Sequence, residues 1–356
     1  MQETPFCLRV GHLLPYSMSD SNTTDLTNPS TFILLGIPDL ETAHVWISIP
    51  FCTMCIPAIL GNFSILFIVK MELSLHRPMY YFLCMLTTND LIVSMSILPK
   101  MLAIFWFNSR EIDFSACFTQ LYFIHCFSGM ESGIFVAMVL DRYVAICHPL
   151  RHSTILTKPV VAKMGLAVVL HCGILALPYP FLVRQWPYCR TSIIPQPFCA
   201  HISVVKLACA DTHISSYYGL FVLLCVMGLE GIFIAVSYTQ ILRAIFCLPT
   251  KDARIETFGT YVSHLCAILT FYIPGLFSSL TYHFGQNVPL HFHVLIGNMN
   301  LLVPPMLNPI IYGVRTKQIR DRLLLFITHK ETKVFPWCSD SQTELRAGDM
   351  VLGRIP

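Results

Sequence analysis

The stretch Ile134-Phe-Val-Ala-Met-Val-Leu-Asp141-Arg142-Tyr143-Val-Ala-Ile-Cys147-His-Pro149-Leu150 decides how this chain is built. It closes an apolar run that reaches back to residue 115, longer than the roughly 20 residues needed to cross a bilayer as a helix. The run ends on an acid and a base side by side. Ionised groups at the edge of hydrocarbon are costly, so Asp141-Arg142 is either a snorkelling anchor at the membrane border or a pair kept there for function.

Six further apolar stretches, 45–70, 79–104, 160–183, 214–248, 257–284 and 291–313, bring the total to seven and account for most of the chain. Only 12% of the 356 residues are charged, against about 25% in soluble domains, too few to clothe a water-facing surface. The mean hydropathy of +0.62 agrees. A strand-built barrel would show short alternating segments instead. The expected fold is an all-α membrane protein, a seven-transmembrane-helix bundle. Residues 1–44 form an N-terminal segment, 45–313 the seven-helix bundle and 314–356 a tail. The tail opens on Lys317-Gln-Ile-Arg320-Asp-Arg322-Leu-Leu-Leu-Phe326, a short amphipathic eighth helix suited to the membrane surface.

Placing the N-terminus outside puts seventeen of the 23 Lys and Arg on the cytoplasmic side and six on the outer side. That bias sets the orientation. The net charge of +3 reflects it, with no basic patch of the kind nucleic acid requires. Residues 1–44 lack a charged start leading into a short apolar core, so the first span is expected to act as its own insertion signal. Asn22-Thr23-Thr24 is a glycosylation sequon in the outer segment, Asn28-Pro29-Ser30 is blocked by proline, and Asn62-Phe63-Ser64 lies inside a span. Translation starting at Met1 or at Met18 would keep this sequon. Of fifteen cysteines, Cys117, Cys189, Cys199 and Cys209 fall outside, where disulfides persist. Four cysteines allow three pairings, and the spacing does not choose among them.

Asp141-Arg142-Tyr143 at the inner end of a third span, followed by Val-Ala-Ile-Cys-His-Pro-Leu, resembles the signature of odorant receptors within the rhodopsin-like class. Gly61-Asn62, Leu-His76-Arg77-Pro78-Met79-Tyr80, Phe-Ser-Gly-Met130-Glu131-Ser132-Gly, Ser237-Tyr238, Ser263-His264-Leu, Phe271-Tyr272-Ile-Pro274 and Pro305-Met-Leu-Asn308-Pro309-Ile-Ile-Tyr312 carry the same resemblance over residues 20–327. Phe32-Ile-Leu-Leu-Gly36-Ile-Pro38 and Phe-Ile-His125 look like the fish-like, class I branch. The resemblance implies a plasma-membrane, multi-pass receptor with no enzymatic activity. It would bind a small organic odorant and activate a stimulatory, cyclic-AMP-raising heterotrimeric G protein. It also implies the pairings Cys117–Cys199 and Cys189–Cys209.

The same resemblance assigns G-protein coupling to Asp141, Arg142, Tyr143, Tyr238 and Tyr312. It places His125, Ser128, Tyr272, Ser279 and His283 at a ligand pocket. Pro274 and Pro309 each remove a helical hydrogen bond, which makes a weak point for bending or a static kink. Asp90 and Glu131 are carboxylates at mid-span depth, with Asn308 near them by resemblance. They must be protonated, paired or bound to a cation, and a sodium ion or a proton both remain open. No other cofactor is expected. His291-Phe292-His293 would pair on a metal only if extended, so no metal site is expected.

A receptor for a non-odorant small molecule or peptide is the near alternative. A transporter would show inverted repeats and broken helices, and a membrane enzyme a nucleophile–base set; neither is legible.

Two positions depart from the family pattern. Glu256 stands where odorant receptors carry a lysine, at a depth similar to Arg142, so it is either an inner-face latch or a solvated glutamate beside Lys251 and Arg254. Tyr282-His283-Phe284-Gly285 replaces a sequence in which arginine anchors carboxylic acids. An imidazole largely neutral at pH 7 is a poor substitute for that charged fork. Restoring the fork with His283→Arg is therefore expected to raise sensitivity to medium-chain carboxylic acids in a cyclic-AMP reporter assay. An unchanged acid response at matched surface expression would remove His283 from the pocket.

Overall fold

The computed structural model describes residues 30–37, 44–188, 191–209, 212–247, 250–284 and 289–327. Asn22, Cys189, the tail beyond 327 and the side chains of Glu256 and His283 lie outside the described residues. Seven helices are long and apolar enough to cross a membrane. They are α1 (His44–Met71), α2 (Pro78–Phe107), α3 (Phe114–Cys147), α4 (Lys158–Arg184), α5 (His213–Phe246), α6 (Lys251–Phe284) and α7 (Leu290–Arg315). A helix satisfies its own backbone, the condition for crossing hydrocarbon. The lipid-facing positions are apolar, as Phe221, Ile232 and Ile273 show. The polar side chains turn inward: Asn62, Asp90 and Asn308 are each 0% exposed.

Helix α6 begins at Lys251, earlier than the apolar stretch 257–284, because its first turns are polar yet still helical. After Arg315 a separate helix, α8 (Lys317–Ile327), buries Ile319. Its Gln318 accepts a hydrogen bond from the Tyr80 hydroxyl at 2.7 Å, and Arg322 pairs with Glu72 at 3.0 Å.

Helices α1 and α7 meet through the prolines of α7. Pro309 has no N–H to give the carbonyl of Pro305, four residues earlier. Asn62 fills that role, donating from Nδ2 to the Pro305 carbonyl at 2.9 Å and to Ala58 in its own helix at 2.7 Å. The approach is close: a Cβ on Gly61 would stand 2.8 Å from the Pro309 ring.

A three-stranded sheet outside the bundle was not read from the sequence. Strand β1 (Thr31–Leu34) lies between β2 (Glu111–Asp113), antiparallel to it, and β3 (Ile193–Ile194), parallel to it. Its strands are too short to stand out as patterns, and they pair segments far apart in the chain. Phe32 and Leu34 are fully buried, and the Phe32 ring lies 5.4 Å from both Phe114 and Tyr188. Residues 31–34 thus cover one end of the bundle.

Below it, the disulfide Cys117–Cys199 joins α3 to the long outer loop, with Cα atoms 5.5 Å apart. Gln120 reinforces the junction, donating to the Ser96 carbonyl and accepting from the Cys199 N–H, both at 2.9 Å. Cys209 is also disulfide-bonded, and Tyr188, next to Cys189 in sequence, bridges to Ala208. Loss of a native disulfide costs about 2–5 kcal/mol. Cys117→Ser and Cys199→Ser are each expected to cut surface expression sharply, and the double variant to be hardly worse than either. Flow cytometry of the three variants checks this, since additive losses would mean that the two cysteines act independently.

Candidate functional site

At the end of the bundle that carries the disulfide, α3 to α7 and loop residues 196–202 border a cavity of about 260 Å³. Its walls are mostly apolar, with a few polar groups, as small-molecule sites are. His125 and Ser128 border it from α3 and Ser279 from α6. The His125 ring stacks on Tyr179 at 4.2 Å, and His201 meets Tyr179 edge-on at 4.7 Å. His201 is held by a 3.0 Å hydrogen bond to the Ser215 hydroxyl. Tyr179 and His201 had no motif to announce them, because α4 and the loop reach this wall only through folding.

Tyr272 is a correction: it is not among the lining residues. Its hydroxyl lies 2.6 Å from Ser132 Oγ and 3.3 Å from the Glu230 carboxylate. Ser132 also hydrogen-bonds Glu230 directly. This knot ties α3, α5 and α6 at the cavity floor, which Ser132 helps to form. Glu230 was missed, although an acid inside the apolar stretch 214–248 is a signal in its own right.

Deeper in the bundle, Asn308 donates from one amide nitrogen to Asp90 at 3.0 Å and to Glu131 at 3.4 Å. Two carboxylates thus converge on one amide with both side chains shielded from solvent. Asp90 Oδ1, Ser94 Oγ and Asn308 Oδ1 are buried without partners. This all-oxygen set fits a hard cation such as sodium, and it equally fits a proton shared by the carboxylates.

At the inner end, Arg142, Tyr238, Tyr261 and His264 line a second cavity of about 230 Å³. Asp141 does not pair with Arg142; it binds His152 of the following loop at 2.9 Å. Arg142 rests on the Met79 sulfur, and its buried Nε has no partner. Tyr238 is hydrogen-bonded to His264 Nδ1, and the Tyr312 ring lies 6.2 Å from His264 with its hydroxyl unpartnered. Tyr143 packs edge-on against His148 at 5.9 Å. His291 and His293 lie on helix α7, and no group of three metal-ligating side chains forms among the described residues.

Seven helices long and apolar enough to cross a membrane, with a mostly apolar cavity toward one end and a smaller one beside Arg142 toward the other, are the build of a multi-pass membrane protein. The sequence matches the olfactory receptor family over residues 51–330. It is 53% identical to human olfactory receptor 52R1, covering 84% of this chain and 95% of that protein. Human olfactory receptor 52B2 is 47% identical over 91% of this chain and 99% of its own length. Human olfactory receptor 51E1 is 47% identical over 86% of this chain and 96% of its own. The chain belongs to the olfactory receptor family, a family of receptors and not of enzymes, and the likeness to the class I branch is consistent with these relatives.

Removing the acceptor at the centre of the knot leaves two hydroxyls to satisfy each other. Glu230→Leu is expected to destabilise the protein by about 1–3 kcal/mol, and Glu230→Gln by less because its carbonyl still accepts. Thermal unfolding of detergent-purified protein checks the order; equal melting temperatures for Glu230→Leu and wild type would show that the knot contributes nothing.

Proposed function

We propose that this protein is an odorant receptor of the plasma membrane, with its N-terminus outside, which answers a small organic ligand by activating a stimulatory G protein and raising cyclic AMP. The observation that carries the reading is the vertical arrangement of the two cavities. The outer one has the size and apolar lining for a small volatile molecule. The inner one holds Arg142 with an unsatisfied Nε, beside Tyr238 and His264. Between them stands the Ser132–Glu230–Tyr272 knot, two residues from Pro274, where α6 lacks a backbone hydrogen bond.

A ligand pressing on the knot would bias α6 between two bends and widen the inner cavity for a partner helix. Such a ligand shifts the equilibrium only by its differential affinity for the two states. Ligand contact is proposed for His125, Ser128, Ser279 and His283. Coupling is proposed for Asp141, Arg142, Tyr143, Tyr238, Tyr312 and Glu256. Asp90, Glu131 and Asn308 would hold a sodium ion or a proton, whose loss would favour the second bend. Helix α8, with its charged face and buried Ile319, would lie on the inner lipid surface. Glycosylation is proposed at Asn22.

Arg142→Ala is expected to reach the cell surface and to lose the ligand-driven rise in cyclic AMP, since Arg142 serves coupling more than folding. Signalling at the wild-type level from a normally expressed variant would overturn the assignment of the inner face.

A further inference from the structure

Asp141 and Arg142 stand side by side in sequence, yet no ion pair joins them. Asp141 is 2% exposed, and its Oδ1 accepts a hydrogen bond from His152 Nε2 at 2.9 Å. Arg142 turns the other way. It borders the inner cavity beside Tyr238 and His264, rests on the Met79 sulfur, and forms no ion pair among the described residues.

The loop after α3 is shaped to make this possible. Helix α3 ends at Cys147, Pro149–Arg151 form a single turn, and His152–Ile155 a short helix. The turn carries the chain back, so that an imidazole eleven residues on in sequence meets the Asp141 carboxylate. Consecutive residues on a helix do not face each other. With its carboxylate held toward the loop, Asp141 is directed away from its neighbour.

A carboxylate this deeply buried is costly to leave unpaired. Were the imidazole removed, Asp141 would need another cation. Arg151 is exposed and keeps its water where it stands. Arg142 has a long side chain, sits next to Asp141 and has no counter-ion to give up. Capture by Asp141 would draw the guanidinium out of the inner cavity and neutralise the positive charge that the cavity presents.

We propose that His152 is a positioning residue for coupling: by holding Asp141, it keeps the Arg142 guanidinium available in the inner cavity for a partner protein. This rests on the inner cavity being the coupling site. The contact lies in a loop, so control over Arg142 is exercised from outside the bundle.

The test uses the full-length receptor and three variants. His152→Phe keeps a ring and removes the donor. His152→Gln keeps an N–H at similar reach. The double variant His152→Phe/Asp141→Asn also removes the charge that would capture Arg142. One readout is labelling of Arg142 in purified receptor by glyoxal, which attacks unpaired guanidinium groups, followed by peptide mass spectrometry. It needs neither ligand nor G protein. The other is cyclic AMP at matched surface expression, with a mixture of n-octanol, octanal and octanoic acid as probe.

His152→Phe is expected to lose most of the Arg142 labelling and to lower the cyclic-AMP rise about tenfold, the effect of one charge-assisted hydrogen bond. His152→Gln should recover both, and the double variant the labelling. A histidine that served only to fold the loop would not be compensated by Asp141→Asn, which takes away a second contact. Equal labelling in wild type and His152→Phe overturns the proposal. So does an unlabelled wild type, or labelling that is lost in His152→Phe and not regained in the double variant. If labelling follows the expected order while the wild type raises no cyclic AMP, the positioning of Arg142 stands and the stimulatory-coupling reading falls.

Discussion

Hydrocarbon offers no partner for a peptide group, and each of the seven spans must close its own hydrogen bonds. Where Pro309 opens that ladder in α7, a side chain answers. Asn62 answers at Pro305, and in doing so fixes α1 against α7. The same demand explains why amides and carboxylates are gathered on the bundle axis. The lipid-facing sides, by contrast, are left to large apolar residues, leucine, phenylalanine and isoleucine above all. The polar residues that hydrocarbon would otherwise exclude are thus held in the interior of the bundle.

These groups form three tiers along the axis. The cavity and its floor of Ser132, Tyr272 and Glu230 make the upper tier. Asp90, Glu131 and Asn308 make the middle one, and Arg142, Tyr238, His264 and Tyr312 the lower. Each tier joins at least two helices through hydrogen bonds or aromatic contacts, and α3, α5, α6 and α7 each contribute to at least two tiers, so none of these four can shift without exchanging partners in more than one. Packed interiors favour discrete rearrangements over continuous ones. Helix α6 contributes Tyr272 to the upper tier and His264 to the lower, and Pro274 opens its hydrogen-bond ladder two residues beyond Tyr272.

The outer end is built on a different principle. There water competes for hydrogen bonds, and order comes from covalent and aromatic ties. The Cys117–Cys199 bond, the Gln120 clamp and the Phe32 strand hold the loop and the N-terminal segment over the cavity. Loop residues 196–202 supply part of the cavity wall, and each added wall increases the surface a small apolar molecule can bury.

The seven spans, the two mid-span carboxylates and the Asp141-Arg142 pair were all legible in the linear sequence. Each rests on a local cost: apolar length against bilayer thickness, or a charge against hydrocarbon. Glu230 belonged to the same class of signal and could have been found that way. The partners could not. Tyr272 was expected at the ligand and instead meets Ser132 and Glu230. Asp141 meets His152 and leaves Arg142 alone. The strand at Thr31–Leu34 exists only because Glu111–Asp113 and Ile193–Ile194 come to either side of it. Such pairings depend on how the helices rotate and on which carbonyls prolines set free, and helices remote in sequence decide both. The chain's composition determined what must be buried, and only the packed bundle decided which group each buried atom would meet.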